Sequence, residues 1–203
     1  MAADKAVTDS RLVQRLEAAL RQNRSLWQIL CRFDEITLPD AWLVAGAVAQ
    51  TVWNLSLGRP AELGIKDVDL VYFDATDLSL EAEVAQEQRL RRQLKTLPVQ
   101  LDVKNEARVH LWYHRTFGYS IPPYSSTKAA IDTFPTTATS IGVRRCANRF
   151  ECYAPFGLDD LFALAVRPNK AQVTAGIYEA KLTHWREQWP QLTYLDWDAP
   201  TVP

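Results

Sequence analysis

The sequence predicts an α/β (α+β) core followed by a C-terminal extension of helices and one hairpin. Three observations carry this. Leucines recur at helical spacing near the N-terminus. Three short apolar runs rich in β-branched and aromatic residues then alternate with helical segments as far as about residue 120. Beyond Gly118 two more such runs flank a tight turn. Apolar residues are 47% and charged residues 23% of the 203, an ordinary globular balance, and the chain is long enough for one proper core.

The elements follow in order. Leu12, Leu16 and Leu20 mark a first helix with Asp9 or Ser10 as its cap. A second is expected from Ser25 to about Glu35. Ala41 to Ala45 reads as a buried strand, Gly46-Ala47 as the turn after it, and Val48 to Leu55 as a helix. Gly58-Arg59-Pro60 is a loop. Asp67 to Phe73 is a second strand, Glu81 to Leu94 an amphipathic helix, Val99 to Val103 a third strand, and Ala107 to Thr116 a helix. Pro122-Pro123-Tyr124 opens a loop before a short helix ending at Ile131. Gly142 to Cys146 and Phe150 to Tyr153 form the hairpin. Asp159 starts a helix through about Val166, Ala171 to Trp185 is the last helix, and the tail starts at Trp189-Pro190. The expected division is a core over residues 1–120 and an extension over 121–203 packed on it, which also fits one single domain.

Composition excludes several functions. Net charge is −1, so no basic field is available for an extended nucleic-acid track, and an anionic substrate must meet a local Lys/Arg cluster. The N-terminus lacks the apolar stretch of a signal peptide and no run is long enough to cross a bilayer. Cys31, Cys146 and Cys152 have no zinc spacing, which suits a reducing cytoplasm. His110, His114 and His184 show no metal-protease spacing, and neither a GxSxG nor a GxxxxGK[ST] motif occurs.

One constellation carries chemistry. Asp67 and Asp69 lie two apart on a strand and therefore point to the same face. Paired carboxylates repel, and a divalent cation is the natural compensation. Mg²⁺ (or Mn²⁺) takes one or two carboxylates and leaves room for water and phosphates. Asp102, on the next strand, would complete the set as ligand or as base for an attacking hydroxyl. Gly46 and Ala47, at a helix start, offer backbone N–H groups to phosphate. An isolated Asp-x-Asp is more often a solvated pair; the strand context, Asp102 and the Gly46 turn raise it above that.

The order Gly46-Ala47, Asp67-x-Asp69, Asp102 resembles the polymerase-β nucleotidyltransferase superfamily. The closer resemblance is to a bacterial nucleotidyltransferase-like family of unestablished substrate. It rests on Asp67-Val68-Asp69-Leu70-Val71-Tyr72-Phe73-Asp74, on Asp102-Val103-Lys104-Asn105-Glu106-Ala107-Arg108-Val109-His110-Leu111-Trp112-Tyr113, on Pro123-Tyr124-Ser125-Ser126-Thr127 and on Ala154-Pro155-Phe156-Gly157-Leu158-Asp159-Asp160, across roughly residues 40 to 190. It implies a nucleotidyltransferase fold, a small mixed sheet flanked by helices. It also implies metal-dependent transfer of a nucleotidyl group from a nucleoside triphosphate such as ATP to an unidentified acceptor, with release of pyrophosphate. Ala47 departs from the superfamily's usual Ser or Gly, removing one phosphate contact; a catalytically silent nucleotide- or protein-binding module is the rival reading.

Further candidates for nucleotide or phosphate contact are Lys104, Asn105, Ser126, Thr127 and Lys128. For Ser126 and Thr127 the bland reading is helix capping. Arg108 and His110 equally suit a solvated helix face. Tyr124 and Trp112 could stack on a base, though packing is the commoner role. Arg144 and Arg145 fall on opposite faces of a strand, so at most one faces a cleft. Asp159 and Asp160 suit the first turn of a helix.

Overall fold

The computed structural model describes residues 9–95 and 97–199. Eight α-helices are seen there: α1 (Ser10–Leu20), α2 (Arg24–Cys31), α3 (Gly46–Ser56), α4 (Leu80–Gln93), α5 (Val109–Phe117), α6 (Thr127–Ile131), α7 (Asp159–Phe162) and α8 (Ala175–Gln188). The strands are β1 (Trp42–Val44), β2 (Asp67–Tyr72), β3 (Gln100–Asn105), β4 (Gly142–Cys146), β5 (Arg149–Tyr153), β6 (Ala165–Val166) and β7 (Thr193–Tyr194).

Strands one to five form a single mixed sheet in the order β3-β2-β1-β4-β5. The helix α4 connects β2 to β3, and these two run parallel, as a helical crossover requires; the remaining neighbours are antiparallel. Because β4 pairs with β1, the chain beyond residue 120 supplies two strands to the same sheet as the first half. This is the small mixed sheet flanked by helices expected from the sequence.

Alternation gives the sheet two unlike faces. Leu43, Val68, Leu70, Leu101, Val103 and Val143 point to one side and are buried there against α1, α2, α3, α4 and α7. Trp53 of α3 anchors that side, meeting Trp185 and Trp189 edge-on at 5.3 and 5.9 Å. Trp42, Val44, Val71, Asp67, Asp69, Asp102 and Lys104 take the other face. Only its β1–β4 end is closed by α6: Ile131 packs on Trp42 and over Gly142, where an added Cβ would lie 2.8 Å from the Ile131 side chain.

Several boundaries differ from expectation, each for a local reason. The second helix stops at Cys31 and continues as a 3-10 turn, Phe33–Glu35. The helix α3 includes Gly46 and Ala47. The helix α7 ends at Phe162, because Leu164 turns left-handed (φ 57°) and the chain becomes β6. Thr174 caps α8, accepting from Ile177 N–H, so that helix starts four residues late. The tail is not featureless: β7 pairs in parallel with β6. No helix among the described residues is long and apolar enough to cross a membrane.

Candidate active site

The acids come together through strand register. Asp67 and Asp69 share a face of β2, and Asp69 lies directly beside Asp102 of β3. Asp67 is exposed, whereas Asp69 and Asp102 are half-buried. Burial pushes the Asp69 carboxyl up to about 6, and Asp67 and then Asp102 add to that rise, while Lys181 and Lys104 oppose it. The cluster is therefore short of positive charge. Lys104 offsets part of it, with its Nζ 2.7 Å from Asp102 Oδ1. Among the described residues no three Asp, Glu, His or Cys side chains stand as a ready-made cation cage, as expected of like charges with one member engaged by a lysine. The donor set nonetheless suits a hard divalent ion: carboxylate oxygens on adjacent strands, one of them held against its own ionisation by its neighbours.

Beside the acids lies the start of α3. Ala45 precedes it at φ 55°, ψ −122°, a conformation rare outside glycine, and its N–H donates to Ile141 O at 3.0 Å. No side chain caps the helix, so its first N–H groups are open to an anion. Gly46, the first residue of the helix, lines a polar cavity of about 340 Å³ together with Gln50, Lys66, Asp67, Lys181 and His184, among others. A Cβ at Gly46 would meet only the Gln50 amide at 3.3 Å, so the fold itself asks little of this glycine.

A second cavity, of about 280 Å³, opens on the other side of the acids. Its walls are mostly aromatic and aliphatic, from α5, the 124–135 segment and α8. Asp69 and Lys181 line both cavities. Lys181, although exposed, is thus the cation between them; partial loss of hydration lowers its pKa, and Asp69 and Asp67 counteract this.

A carboxylate row on a strand, a parallel neighbour bearing a third acid, and an uncapped helix start beside them are the parts that transfer of a phosphorus group needs. Residues 32–194 match a family described as Nucleotidyltransferase. The chain belongs to that family. Among solved structures, it is similar to an NMR structure described as revealing a CCA-adding enzyme head domain. The identity is 27%, over 90% of this chain and 95% of the other, with a TM-score of 0.75. Comparison with curated proteins gives no match.

The nucleotidyltransferase fold brings some of the sequence-predicted residues to the cavities and leaves others elsewhere. Gly46, Asp67, Asp69, Asp102 and Lys104 line one or both. Ala47 is buried in the core, so only its backbone can serve a phosphate. Asn105 is buried and structural: its amide donates to Asp74 O, and its Oδ1 accepts from Asp74 and Ala107 N–H. Ser126 caps α6 through Ala129 N–H, and Thr127 donates its hydroxyl to Asp40 O at 2.7 Å. Lys128 lies over the rings of Trp42 and Tyr153, and none of these three lines either cavity. Arg144 and Arg145 do point opposite ways, towards Trp42 and Trp27. Asp160 pairs with Arg167. Trp112 and Tyr124 line the apolar cavity, whereas Trp185 and Trp189 are core.

Sequence reasoning missed Lys66, Lys181, His184 and Glu106. A signal existed for two: Lys181 and His184 are three apart on α8, hence on one face. Lys66 directly precedes the acid strand. Glu106 looks like any acid at a helix start.

Proposed function

We propose that this chain moves a nucleotidyl group from a nucleoside triphosphate to an acceptor hydroxyl, releasing pyrophosphate. The observation that carries the reading is the Asp67-Asp69-Asp102 row beside an uncapped helix start in a cleft holding Lys66 and Lys181. Asp67 and Asp69 would hold Mg²⁺ or Mn²⁺, with Asp102 as further ligand or base. The ion, when bound, supplies charge neutralisation at the phosphates. The N–H groups at Gly46 and Ala47 orient the β- and γ-phosphates, Lys66 and Lys181 offset their charge, and the His184 ring can donate a hydrogen bond to them. The Ala47 side chain points into the core, so the lack of a hydroxyl there removes nothing from the cavity.

Calorimetry with the four nucleoside triphosphates, with and without Mg²⁺, tests the reading. Metal-dependent binding of at least one triphosphate is expected, weakened about tenfold or more in Asp67→Asn and Asp69→Asn. Gly46→Ala should fold, with only the Gln50 amide shifting slightly, yet bind more weakly, because its Cβ would crowd the ligand. Undiminished binding in both Asn variants would remove the metal site; binding of no triphosphate would remove the function.

A further inference from the structure

The two cavities divide the acids unequally. Gly46 and Asp67 line the polar cavity and not the apolar one. Asp102 lines the apolar cavity and not the polar one, and Asp69 lies on the boundary. An in-line displacement at phosphorus needs the leaving phosphates on one side and the incoming oxygen on the other. With the triphosphate on the helix start, the incoming group arrives from the apolar side, where Asp102 stands.

The apolar cavity also contains an unpartnered group. Glu106, 6% exposed, lines it, and among the described residues its carboxyl has no hydrogen-bond or ion-pair partner. Its oxygens are not among the sealed unpartnered atoms of the described residues, so they open onto the cavity and are available to a ligand. Burial above all, and then the negative charges of Glu83 and Asp69, push the Glu106 carboxyl up to about 8. Glu83 is itself paired with Arg108 at 2.8 Å. At this end of the cavity the Glu106 carboxyl is thus the group open to pairing with a basic or hydrogen-bond-donating ligand atom. The remaining walls, including Trp112, Phe117, Phe134 and Ile177, suit a flat apolar body.

We infer that this cavity is the acceptor site, and that the acceptor is a small molecule with an apolar ring, a basic nitrogen for Glu106 and a hydroxyl for Asp102. The inference rests on the transfer reading above. Its volume of about 280 Å³ lies just below the roughly 300–1,000 Å³ of ordinary ligand pockets, which limits the acceptor to a small molecule. A polynucleotide acceptor would need a row of cations along its backbone. Here Lys104 is engaged by Asp102, and the other lining cation, Lys181, is shared with the polar cavity. In the step, the acceptor oxygen bonds to the α-phosphorus and its proton passes to the Asp102 carboxylate. The bond from that phosphorus to the bridging oxygen breaks, and pyrophosphate leaves with the electron pair.

The test uses the full chain without nucleotide or metal, so it reads the cavity alone. Three probes are compared by ligand-observed NMR and by shifts of the Trp112 indole: 2-amino-1-phenylethanol, 2-phenylethanol and ethanolamine. The first is expected to bind and to shift Trp112, the second about tenfold more weakly, the third not at all. Glu106→Gln should level the first two probes, and Ile177→Trp, which fills the cavity, should abolish both. Both variants should keep metal-dependent nucleotide binding, since neither residue lines the polar cavity. No binding of the first probe, equal binding of the first two to the unaltered chain, or insensitivity to Ile177→Trp overturns the inference. So does a short single-stranded RNA that shifts Trp112 and displaces the probe. Failure of the transfer reading is seen separately, as triphosphate binding that ignores Asp69→Asn.

Discussion

The Asp69 carboxyl, lifted to about 6 by burial and by Asp67 and Asp102, holds its proton more tightly in the folded chain than in the unfolded one. Its contribution to stability is therefore present in acid and is lost as pH rises through about 6. At neutral pH the ionised group works against the fold. Asp69→Asn keeps the shape and removes that charge, so at about pH 7 it should be more stable than the unaltered chain by on the order of 1 kcal/mol and melt at a higher temperature. The difference should shrink towards about pH 5. Thermal melts at the two pH values check this, and a variant that melts lower at neutral pH would mean that the three acids do not repel as their spacing implies. The three acids were legible in the sequence because strand alternation and Asp-x-Asp spacing are local properties. Lys181 was not, because only the folded chain brings α8 beside β2.

The link from β3 to α5 is the element that turns the site's edge. Glu83 of α4 reaches it, accepting from Asn105 N–H at 2.8 Å and pairing with the Arg108 guanidinium, both charged groups being almost fully buried. Asn105 completes it by bridging to Asp74. Breaking one side of a buried pair leaves an uncompensated charge. Arg108→Leu should thus destabilise the chain by about 3 kcal/mol, and Glu83→Gln added to it should restore a good part of the loss. Denaturant melts of the single and double variants measure it; an additive double variant would show that the pair is not coupled. In the sequence, Arg108 and Asn105 looked like a solvated face and a ligand contact. Their roles depend on a partner more than twenty residues earlier. The long elements were legible from periodicity. The two-residue strands β6 and β7 were not, since two residues carry no period and their pairing is set by the left-handed turn at Leu164.

At the scale of the molecule, one sheet joins both halves of the chain, and the two faces divide the work: core on one side, acids on the other. The fold class was readable because helix and strand patterns alternate. The covering of the acid face was not, because it depends on where α5, α6 and α8 settle. The helix α8 is held from the core side by Trp185, Trp189 and Trp53, and the Trp189 indole N–H donates to Asn54 Oδ1 at 2.7 Å. Trp189→Ala should cost about 3–5 kcal/mol in stability and, by loosening α8, weaken triphosphate binding through Lys181. Melting and calorimetry on the same sample test both effects. A loss of stability with undiminished nucleotide affinity would separate Lys181 from the packing behind it.

Lys181, standing in the wall of both cavities, makes their occupants thermodynamically dependent on each other. A triphosphate that draws the ammonium to one side alters what the other ligand meets. By linkage, the second ligand must then change the affinity of the first by the same factor. Two ligands that both engaged this one ammonium would bind with a coupling free energy set by a single side chain.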